Sequence, residues 1–473
     1  EWQPIPDYYF YDINLKANYW LGENDRLFIS GFFGDDVLRF RDAAFSFNLT
    51  YGNATATVRW NHLFGRRFFM NVSGIFNRFY YDISNQQEGF SFRLFSRIRD
   101  WGGKVDFDWF PTPAHMVRFG AAYTHHTFTP SGFRLEVADV AGGGSSSGFE
   151  SQIVGGEVGA YVTDDWDFAA RWRLSTFYFN AEPRLAVRYR ATEQLAFKAS
   201  YARMAQYLHL ASSSATTLPT DVWYPATALA RPQLSDQLSG SATYSLLGPK
   251  IVLTVEGYHK WLYNQVEIRE GGNLFGNPLL DQEFTFGQGR TWGYELLAER
   301  KEGRFTGWLA YTLAWANRTF AELNEGRTFW FRYDRRHDLS AVGSYDIAPR
   351  LTFTASFVYR TGEAVTLQRG RVGFYDLPGL TRFPAVTPLI TERNWYRIPA
   401  FHKLDVSLTW RFRPRRGQSD LTLSVYNVYN RRNPFFVYIT RETDDATGLP
   451  LQARGRLAGL FPILPSLTYN FRF

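Results

Sequence analysis

Aromatic and arginine side chains recur together at three places between the regular parts of this 473-residue chain. Aromatic faces combined with a few charged anchors are typical of surfaces that bind a small ligand. The sequence therefore offers a candidate ligand mouth, whose residues are Trp223, Tyr224, Trp330, Arg332, Trp395 and Arg397. Residues 329–333 lie just before a predicted strand, and this position favours a second interpretation, a girdle of aromatic side chains around the ends of the strands.

No spacing of residues predicts catalysis or a resident cofactor. His125 and His126 are adjacent, but neighbouring residues of a strand point to opposite faces and make a poor metal chelate, so we interpret them as ordinary loop histidines. The glycine-rich run 142–148 lacks the lysine and the strand–loop–helix context of a phosphate-binding loop. Cysteine is absent, which excludes disulfides and thiolate metal sites. We predict a protein that is not an enzyme and holds neither metal nor cofactor.

Alternating apolar and polar residues form the elements that must position these side chains. In residues 305–315, Leu309, Tyr311 and Leu313 share one face and Ala310 and Thr312 the other, and residues 251–256, 351–360 and 404–412 repeat the pattern. Aromatic residues make up 18% of the chain although the mean hydropathy is −0.30. Membrane barrels have this composition because lipid-facing and lumen-facing residues alternate. No stretch approaches the roughly 18 apolar residues of a spanning helix.

Short and long connections alternate along the chain as well. Short turns are predicted at 22–25, 65–66, 111–114, 164–165, 191–193, 248–249, 302–303, 348–349 and 414–417, and long connections around 35–52, 82–91, 130–152, 205–235, 269–288, 320–334, 364–399 and 442–460. This is the pattern of short periplasmic turns and long extracellular loops. The predicted fold is all-β, a transmembrane antiparallel up-and-down β-barrel. A soluble propeller or sandwich remains the alternative, although it would not produce two classes of connection.

We predict about 19 strands in a single domain, residues 1–473. This odd number determines the direction of the first strand relative to the last. The last strand must run from outside to inside, and counting back gives the first strand, residues 8–21, the same direction. Single-chain bacterial barrels have an even number of strands and both ends in the periplasm. We therefore expect that an N-terminal portion of the parent polypeptide is missing from this sequence or is present as another chain.

The final strand and the charges within strands both predict which side chains face outward and which face the lumen. Leu467, Tyr469, Phe471 and Phe473 share one face, which we interpret as a barrel-insertion signal, and we expect this strand to pair with the first so that no edge stays open. A charge at the lipid midplane costs about 2–4 kcal/mol, so charges within strands should face the lumen. These residues are Asp106, Asp108, Arg188, Lys198, Glu256 and Arg411. The net charge of +7 is dispersed singly, which argues against nucleic-acid binding.

Several runs resemble successive signatures of the barrel of TonB-dependent outer-membrane receptors. They are residues 11–16, 97–108, 118–120, 182–185, 199–206, 333–337 and, most specifically, 423–436 followed by the aromatic terminus. The resemblance implies 22 strands around an N-terminal plug, preceded by a box that engages TonB. Neither the plug nor the box is visible in this sequence, and the 19 strands would correspond to the fourth and later strands of the family.

The resemblance also implies a function. It is TonB-dependent active transport of a scarce solute, such as a siderophore, cobalamin, a glycan or a peptide, across the cell outer membrane. The implied partners are outer-membrane lipid, the TonB energising complex of the inner membrane reached through the missing N-terminal region, the barrel-assembly machinery and, as an open option, a surface lipoprotein. A structural or assembly barrel that serves as the scaffold of a surface complex stays open as the alternative.

Overall fold

The computed structural model describes most of the chain. The described residues are 7–42, 45–87, 90–112, 115–137, 145–163, 167–173, 178–211, 222–246, 250–270, 272, 277, 279–367, 370–374, 385–389, 392–412, 417–443, 450–459 and 461–472. Phe473, one of the four residues of the predicted insertion signal, lies outside them. None of the described helices has the length and apolar character needed to cross a membrane.

Strands make up nearly all of the regular structure. They are β1 (Asp7–Trp20), β2 (Asp25–Asp42), β3 (Phe45–Leu63), β4 (Phe68–Gln87), β5 (Phe90–Thr112), β6 (His115–Val137), β7 (Ser145–Glu150), β8 (Ile153–Thr163), β9 (Asp167–Arg173), β10 (Phe179–Arg190), β11 (Leu195–Gln206), β12 (Leu208–Ala211), β13 (Val222–Pro225), β14 (Gln233–Leu246), β15 (Ile251–Ile268), β16 (Phe284–Arg300), β17 (Phe305–Phe320), β18 (Phe329–Trp330), β19 (His337–Ala348), β20 (Leu351–Arg360), β21 (Ala364–Val365), β22 (Gly370–Phe374), β23 (Ala385–Leu389), β24 (Tyr396–Arg397), β25 (Phe401–Phe412), β26 (Gln418–Tyr426), β27 (Pro434–Thr443), β28 (Pro450–Gly459) and β29 (Leu464–Arg472). Two short 3-10 helices, Leu280–Glu283 and Asn324–Gly326, lie in connections.

One antiparallel sheet of 21 strands runs through the described chain in sequence order. Two of its members, β7 and β18, are short extensions that pair with β6 and β17, so 19 strands run up and down. Four separate two-stranded hairpins, β12–β13, β21–β24, β22–β23 and β27–β28, lie within the long connections. The predicted fold class and the predicted number of strands are confirmed.

Two of the predicted long connections are instead continuous hairpins. The ladder between β2 and β3 extends until Asp42 lies opposite Phe45, and the ladder between β4 and β5 until Gln87 lies opposite Phe90. The predictions of loops at 35–52 and 82–91 were therefore wrong. Beyond the height of the lipid, outward residues are no longer required to be apolar, so the alternation fades while the backbone pairing continues. Similarly, the connection predicted at 442–460 overlaps the hairpin β27–β28, which already begins at Pro434.

Each long strand has an apolar face and a polar face, which we call outward and inward. The outward face is largely uncovered: Val187 is 59% exposed and Tyr189 is 65% exposed. On the inward face small polar side chains bond from strand to strand, as between the hydroxyls of Ser200 and Ser239, 2.7 Å apart. Further such pairs join Thr243 to Thr254, Ser344 to Thr354 and Thr409 to Thr422. Apolar rows are thus not sandwiched between two stacked sheets.

The predicted lumen charges share the inward face. Arg188 lies opposite Lys198, and Ser241 separates Lys198 from Glu256 along the same row. On β5, the Asp106 carboxylate accepts a hydrogen bond from the Tyr161 hydroxyl at 2.6 Å. Asp108 pairs with Arg118 at 3.0 Å, and Arg411 lies 3.9 Å from Asp346.

The two ends of the sheet approach each other as it curves. The ring of Tyr8 at the start of β1 lies 5.3 Å from the ring of Phe461, which precedes β29. Leu467, Tyr469 and Phe471 are exposed and share the outward face of β29, and their role as an insertion signal stays a prediction. The expected ladder between the last and first strands is not among the pairings of the described residues, in which β29 pairs with β26 and β1 with β2. An odd number of strands gives β1 and β29 the same direction.

Candidate functional site

The connections at one end of the sheet are bound together around a buried carboxylate, Asp334. This residue is 1% exposed. Its Oδ1 accepts a hydrogen bond from the backbone N–H of Ala316 in β17 at 2.7 Å. Its Oδ2 pairs with the guanidinium of Arg336 at 3.3 Å and with that of Arg397 in β24. A single carboxylate thereby joins the connection after β17 to the connection before β25.

Arg397, one of the predicted mouth residues, is therefore part of the framework of this cap. Besides the carboxylate, its guanidinium donates to the backbone carbonyl of Gly362 at 3.2 Å. Charge-assisted bonds of this kind are stronger than neutral ones and fix the planar guanidinium in one orientation. Arg397 is consequently oriented toward the protein rather than toward solvent.

Trp330, Arg332 and Trp395 lie in the same two connections. The Asn394 side chain donates to the backbone carbonyl of Trp330 at 2.9 Å, and the indole N–H of Trp395 donates to the carbonyl of Leu367 at 2.8 Å. Both indole rings stay partly open to solvent, with Trp330 39% exposed and Trp395 38% exposed. The Arg332 guanidinium lies 5.6 Å from the ring centroid of Tyr333. The structure thus brings four of the six predicted residues into one cap.

A second buried ion pair ties the cap to β15. The carboxylate of Glu267 lies 2.7 Å from the guanidinium of Arg393, and both side chains are almost fully buried. The Arg393 guanidinium also lies over the ring of Phe329 at 5.6 Å, and Phe329 stacks on Phe320 at 6.0 Å. The backbone N–H of Arg393 donates to Asn324 Oδ1 at 3.0 Å. The strand β15 and the connections after β17 and β20 are therefore held as one unit.

Trp223 and Tyr224 belong to a neighbouring cluster. They lie in β13, opposite Leu210 and His209 of β12. Tyr224 is buried and its ring meets that of Phe284 edge-on at 5.1 Å, within an apolar cluster that also contains Val266, Ile268 and Leu280. Its ring is thus a packing element, whereas that of Trp223 is half-buried.

Two glutamines place this cluster beside the cap. Gln233 and Gln265 are joined by a hydrogen bond of 3.0 Å, and Gln233 in turn bonds to the ring of the fully buried His209 at 3.0 Å. Gln265 stands two residues before Glu267, on the same face of β15. The connection between β11 and β14 therefore meets the cap at the inward side of β15.

Trp330 also joins an aromatic row on the outward face. The Arg336 guanidinium lies over the rings of both Trp330 and Trp315, at 4.8 Å and 5.0 Å. Trp315 stacks on Trp292 of β16 at 5.9 Å, and His259 of β15 continues the row at 6.1 Å. Rings aligned across neighbouring strands at one height are the arrangement expected of an aromatic girdle, and Trp330 lies in this row.

The motif of residues 423–436 shapes a chain reversal rather than a pocket. Asn427 and Asn430 both adopt the left-handed conformation, with φ of 52°. Asn427 is fully buried, and its backbone N–H donates to Asp405 at 2.9 Å. Asn433 exchanges two hydrogen bonds of 3.0 Å with the backbone of His402. These short amides satisfy backbone groups where β26 ends.

The described residues contain no cluster of three or more metal-ligating side chains. His126 bonds to Asp100 at 2.7 Å, while His125 lies on the other face of β6. What the cap offers is exposed aromatic surface on a framework fixed by buried ion pairs. Such a surface is suited to reversible binding of a solute.

Several residues of the cap were not predicted from the sequence. Asp334, Glu267 and Arg393 are the clearest cases. The run 333–337, which contains Asp334, did stand out as a motif, and Glu267 interrupts an otherwise apolar strand end. Their partners lie 63 and 126 positions away, and only the fold brings them together.

The chain matches the family model "TonB dependent receptor-like, beta-barrel" over residues 1–430. Among solved structures, the siderophore receptor PiuA from Acinetobacter baumannii is similar at 12% identity, with a TM-score of 0.67 over 98% of this chain and 75% of that chain. The ferric-catecholate import receptor Fiu from E. coli K12 gives 13% identity and a TM-score of 0.57 over 99% and 75%. The copper transporter OprC gives 10% and 0.64 over 99% and 72%.

No curated protein matches this chain. At such low identities the likeness to solved structures shows the fold alone, and these neighbours are receptors and transporters of the outer membrane rather than enzymes. The family model, by contrast, covers most of the sequence. The chain therefore belongs to the family of TonB-dependent receptor β-barrels.

Proposed function

We propose that this chain is the barrel of an outer-membrane transporter that takes up a scarce solute by TonB-dependent active transport. The family match is the observation that carries the proposal. Two features agree with it: an inward face of small hydroxyls and charges suits the passage of a polar solute, and a cap fixed by buried ion pairs suits solute capture. The inner-membrane TonB complex supplies the work, outer-membrane lipid surrounds the outward face and the barrel-assembly machinery inserts the chain.

The proposed solute class is supported by the chemistry of the predicted mouth and by the names of the neighbours. PiuA is a siderophore receptor and Fiu imports ferric catecholates. The exposed indole of Trp395, with Arg332 in the same cap, suits a flat or anionic solute, because rings stack on planar groups and guanidinium pairs with negative charge, whereas Trp330 lies in the outward aromatic row. The first candidate solute is a siderophore, and the others are cobalamin, a glycan or a peptide. Trp223 extends this surface, whereas Tyr224 and Arg397 support it from beneath.

Uptake in whole cells tests the proposal. The full-length gene is expressed in a host with its energising complex intact, and uptake of labelled ferric siderophores is followed with and without TonB. We expect uptake only with TonB, and loss of uptake on adding a protonophore. Uptake that is equal without TonB, or no uptake of any of the four solute classes despite normal surface amounts, would contradict active transport and favour the scaffold.

The mouth is tested by one matched pair of variants. We expect Trp395→Ala to raise the concentration of solute that half-saturates uptake by about tenfold, since ring stacking on a ligand contributes roughly 1 kcal/mol or more. Trp410→Ala removes another exposed indole, near the end of β25 that is farther from Trp395, and should leave that concentration unchanged. Equal effects of the two substitutions would remove Trp395 from the mouth.

A further inference from the structure

Three arginines stand together on the outward face of β4 and β5. Arg78 lies directly opposite Arg99, and Arg97 lies opposite Tyr80, two residues further along the ladder. All three side chains are exposed. The Arg78 guanidinium lies 5.3 Å from the ring of Tyr80. Like charges directly opposite each other in a sheet destabilise it, so this arrangement calls for a counter-charge.

No carboxylate of the described residues forms an ion pair with these three arginines. The nearest acidic residue of the same row, Asp35, is held by the hydroxyls of Tyr11 at 2.5 Å and Tyr80 at 2.6 Å. Arg93 on the same face is different, because it makes a two-pronged contact with Asp82, with its Nε 2.8 Å from Oδ2. The patch of Arg78, Arg97 and Arg99 therefore keeps its positive charge.

The height of the patch identifies what it faces. Phe68 and Trp109 form a register pair near the short turns, and Arg78 lies ten residues along β4 from Phe68. At a rise of about 3.4 Å per residue and a tilt of about 40°, this distance corresponds to roughly 25 Å along the barrel axis, the height of the apolar band of a membrane barrel. Phe76 and Trp101, whose rings lie 4.6 Å apart, form the girdle immediately below. The arginines thus begin where hydrocarbon ends.

We propose that Arg78, Arg97 and Arg99 bind the phosphate groups of a phosphorylated glycolipid in the outer leaflet. Guanidinium groups form bidentate, charge-assisted bonds with phosphate, and the exposed indole of Trp101 below them provides an apolar surface for acyl chains. A phosphate between Arg78 and Arg99 also removes the repulsion of the opposed pair. The inference rests on the proposed outer-membrane location, and it adds a specific lipid partner on the outside of the barrel.

Lipid carried through purification is the first test. The full-length receptor is extracted from its native membrane in mild detergent, and bound glycolipid is quantified by mass spectrometry. We expect the triple variant R78Q, R97Q and R99Q to retain about tenfold less phosphorylated glycolipid than the unsubstituted receptor. The matched control R93Q removes an arginine already paired with Asp82 and should retain as much as the unsubstituted receptor. Equal retention by the triple variant overturns the proposal.

Binding to delipidated receptor separates a lipid site from a simple phosphate site. We expect the intact glycolipid to bind, its enzymatically dephosphorylated form to bind about tenfold more weakly, and inorganic phosphate not to displace the lipid at equal concentration. Displacement by inorganic phosphate, or equal binding of both lipid forms, contradicts the assignment. The single variant R99Q repeats the comparison with less disturbance, and the heat-dependent shift of folded barrels on gels verifies folding. TonB-dependent uptake is measured separately, so a receptor that binds lipid but transports nothing contradicts only the proposed function.

Discussion

Glycine at position 120 lets a tyrosine reach across a strand. The Tyr161 ring passes over Gly120, and its hydroxyl bonds to Asp106 on the next strand at 2.6 Å. A Cβ on Gly120 would lie 2.6 Å from the Val105 carbonyl oxygen and 2.8 Å from the Tyr161 ring. The same arrangement recurs at Gly52, between Asp35 and Tyr80. Glycine is needed in these strands for the close approach of a neighbour rather than for an unusual backbone conformation.

We expect Gly120→Val to destabilise the barrel by about 1–3 kcal/mol, because the added carbons displace Tyr161 and break its bond to Asp106. The measurement is urea-dependent unfolding of the full-length protein in lipid vesicles. Gly103→Val is the control, since a Cβ there meets no atom within 4 Å. If both substitutions cost the same, steric crowding at Gly120 is not the cause.

Asp334 shows how the connecting segments acquire a fixed arrangement. Segments without a regular ladder of their own are ordered here by buried charge: Asp334 receives two guanidinium groups and one backbone N–H. Removing one partner of a buried ion pair leaves the others uncompensated, which is more costly than the pair itself is worth. The order of β18, β21 and β24 therefore depends on a side chain that belongs to none of them.

We expect Asp334→Asn to loosen residues 321–336 and 392–400 together, at a local cost of about 3–5 kcal/mol. Hydrogen–deuterium exchange would show faster exchange in both segments, with β14 to β17 still protected. Asp338→Asn, which weakens a more exposed pair with Arg360 at 2.9 Å, is the comparison and should change neither segment. Unchanged protection in the Asp334 variant would mean that the cap is ordered by other contacts.

The strands could be predicted from the sequence, whereas contacts between distant segments could not. Strands β15 to β17 and β25 were predictable because each strand carries its own two-faced pattern, which lipid on one side and water on the other impose locally. The extensions of β2 to β5 could not be predicted, because outward residues above the lipid need not be apolar. The pairs Asp334–Arg397 and Glu267–Arg393 were also out of reach, since nothing local to an aspartate specifies an arginine 63 residues later. Of the mouth residues predicted from composition, Trp330 and Trp395 are partly exposed and Tyr224 is buried.

The barrel as a whole presents its apolar residues outward and keeps its polar ones inside, the reverse of a soluble β-protein. On β15 the two environments lie one residue apart: Val255 is 50% exposed on the outward face, whereas Thr254 faces inward and bonds to Thr243 at 3.2 Å. Val255 lies four residues from the start of the strand, roughly 10 Å along the barrel axis and near the middle of the apolar band.

We expect Val255→Arg to weaken folding into lipid vesicles by about 2–4 kcal/mol and Thr254→Arg to cost much less, because only the first places a charge in hydrocarbon. Folding is followed by tryptophan fluorescence across a urea series. The two variants carry the same new side chain on consecutive residues. The difference between their free energies of folding therefore measures the effect of the face alone. Equal costs, or a greater cost at Thr254, would contradict the assignment of the outward face to lipid.

The long hairpins of β2 to β5 give the outer surface of this protein an unusual mechanical property. β4 continues for nine residues beyond Arg78, about 30 Å along the ribbon, while remaining paired on both sides. Ladder bonding on both edges makes such a projection stiff, so the paired residues of β2 to β5 stand above the apolar band as one rigid ribbon.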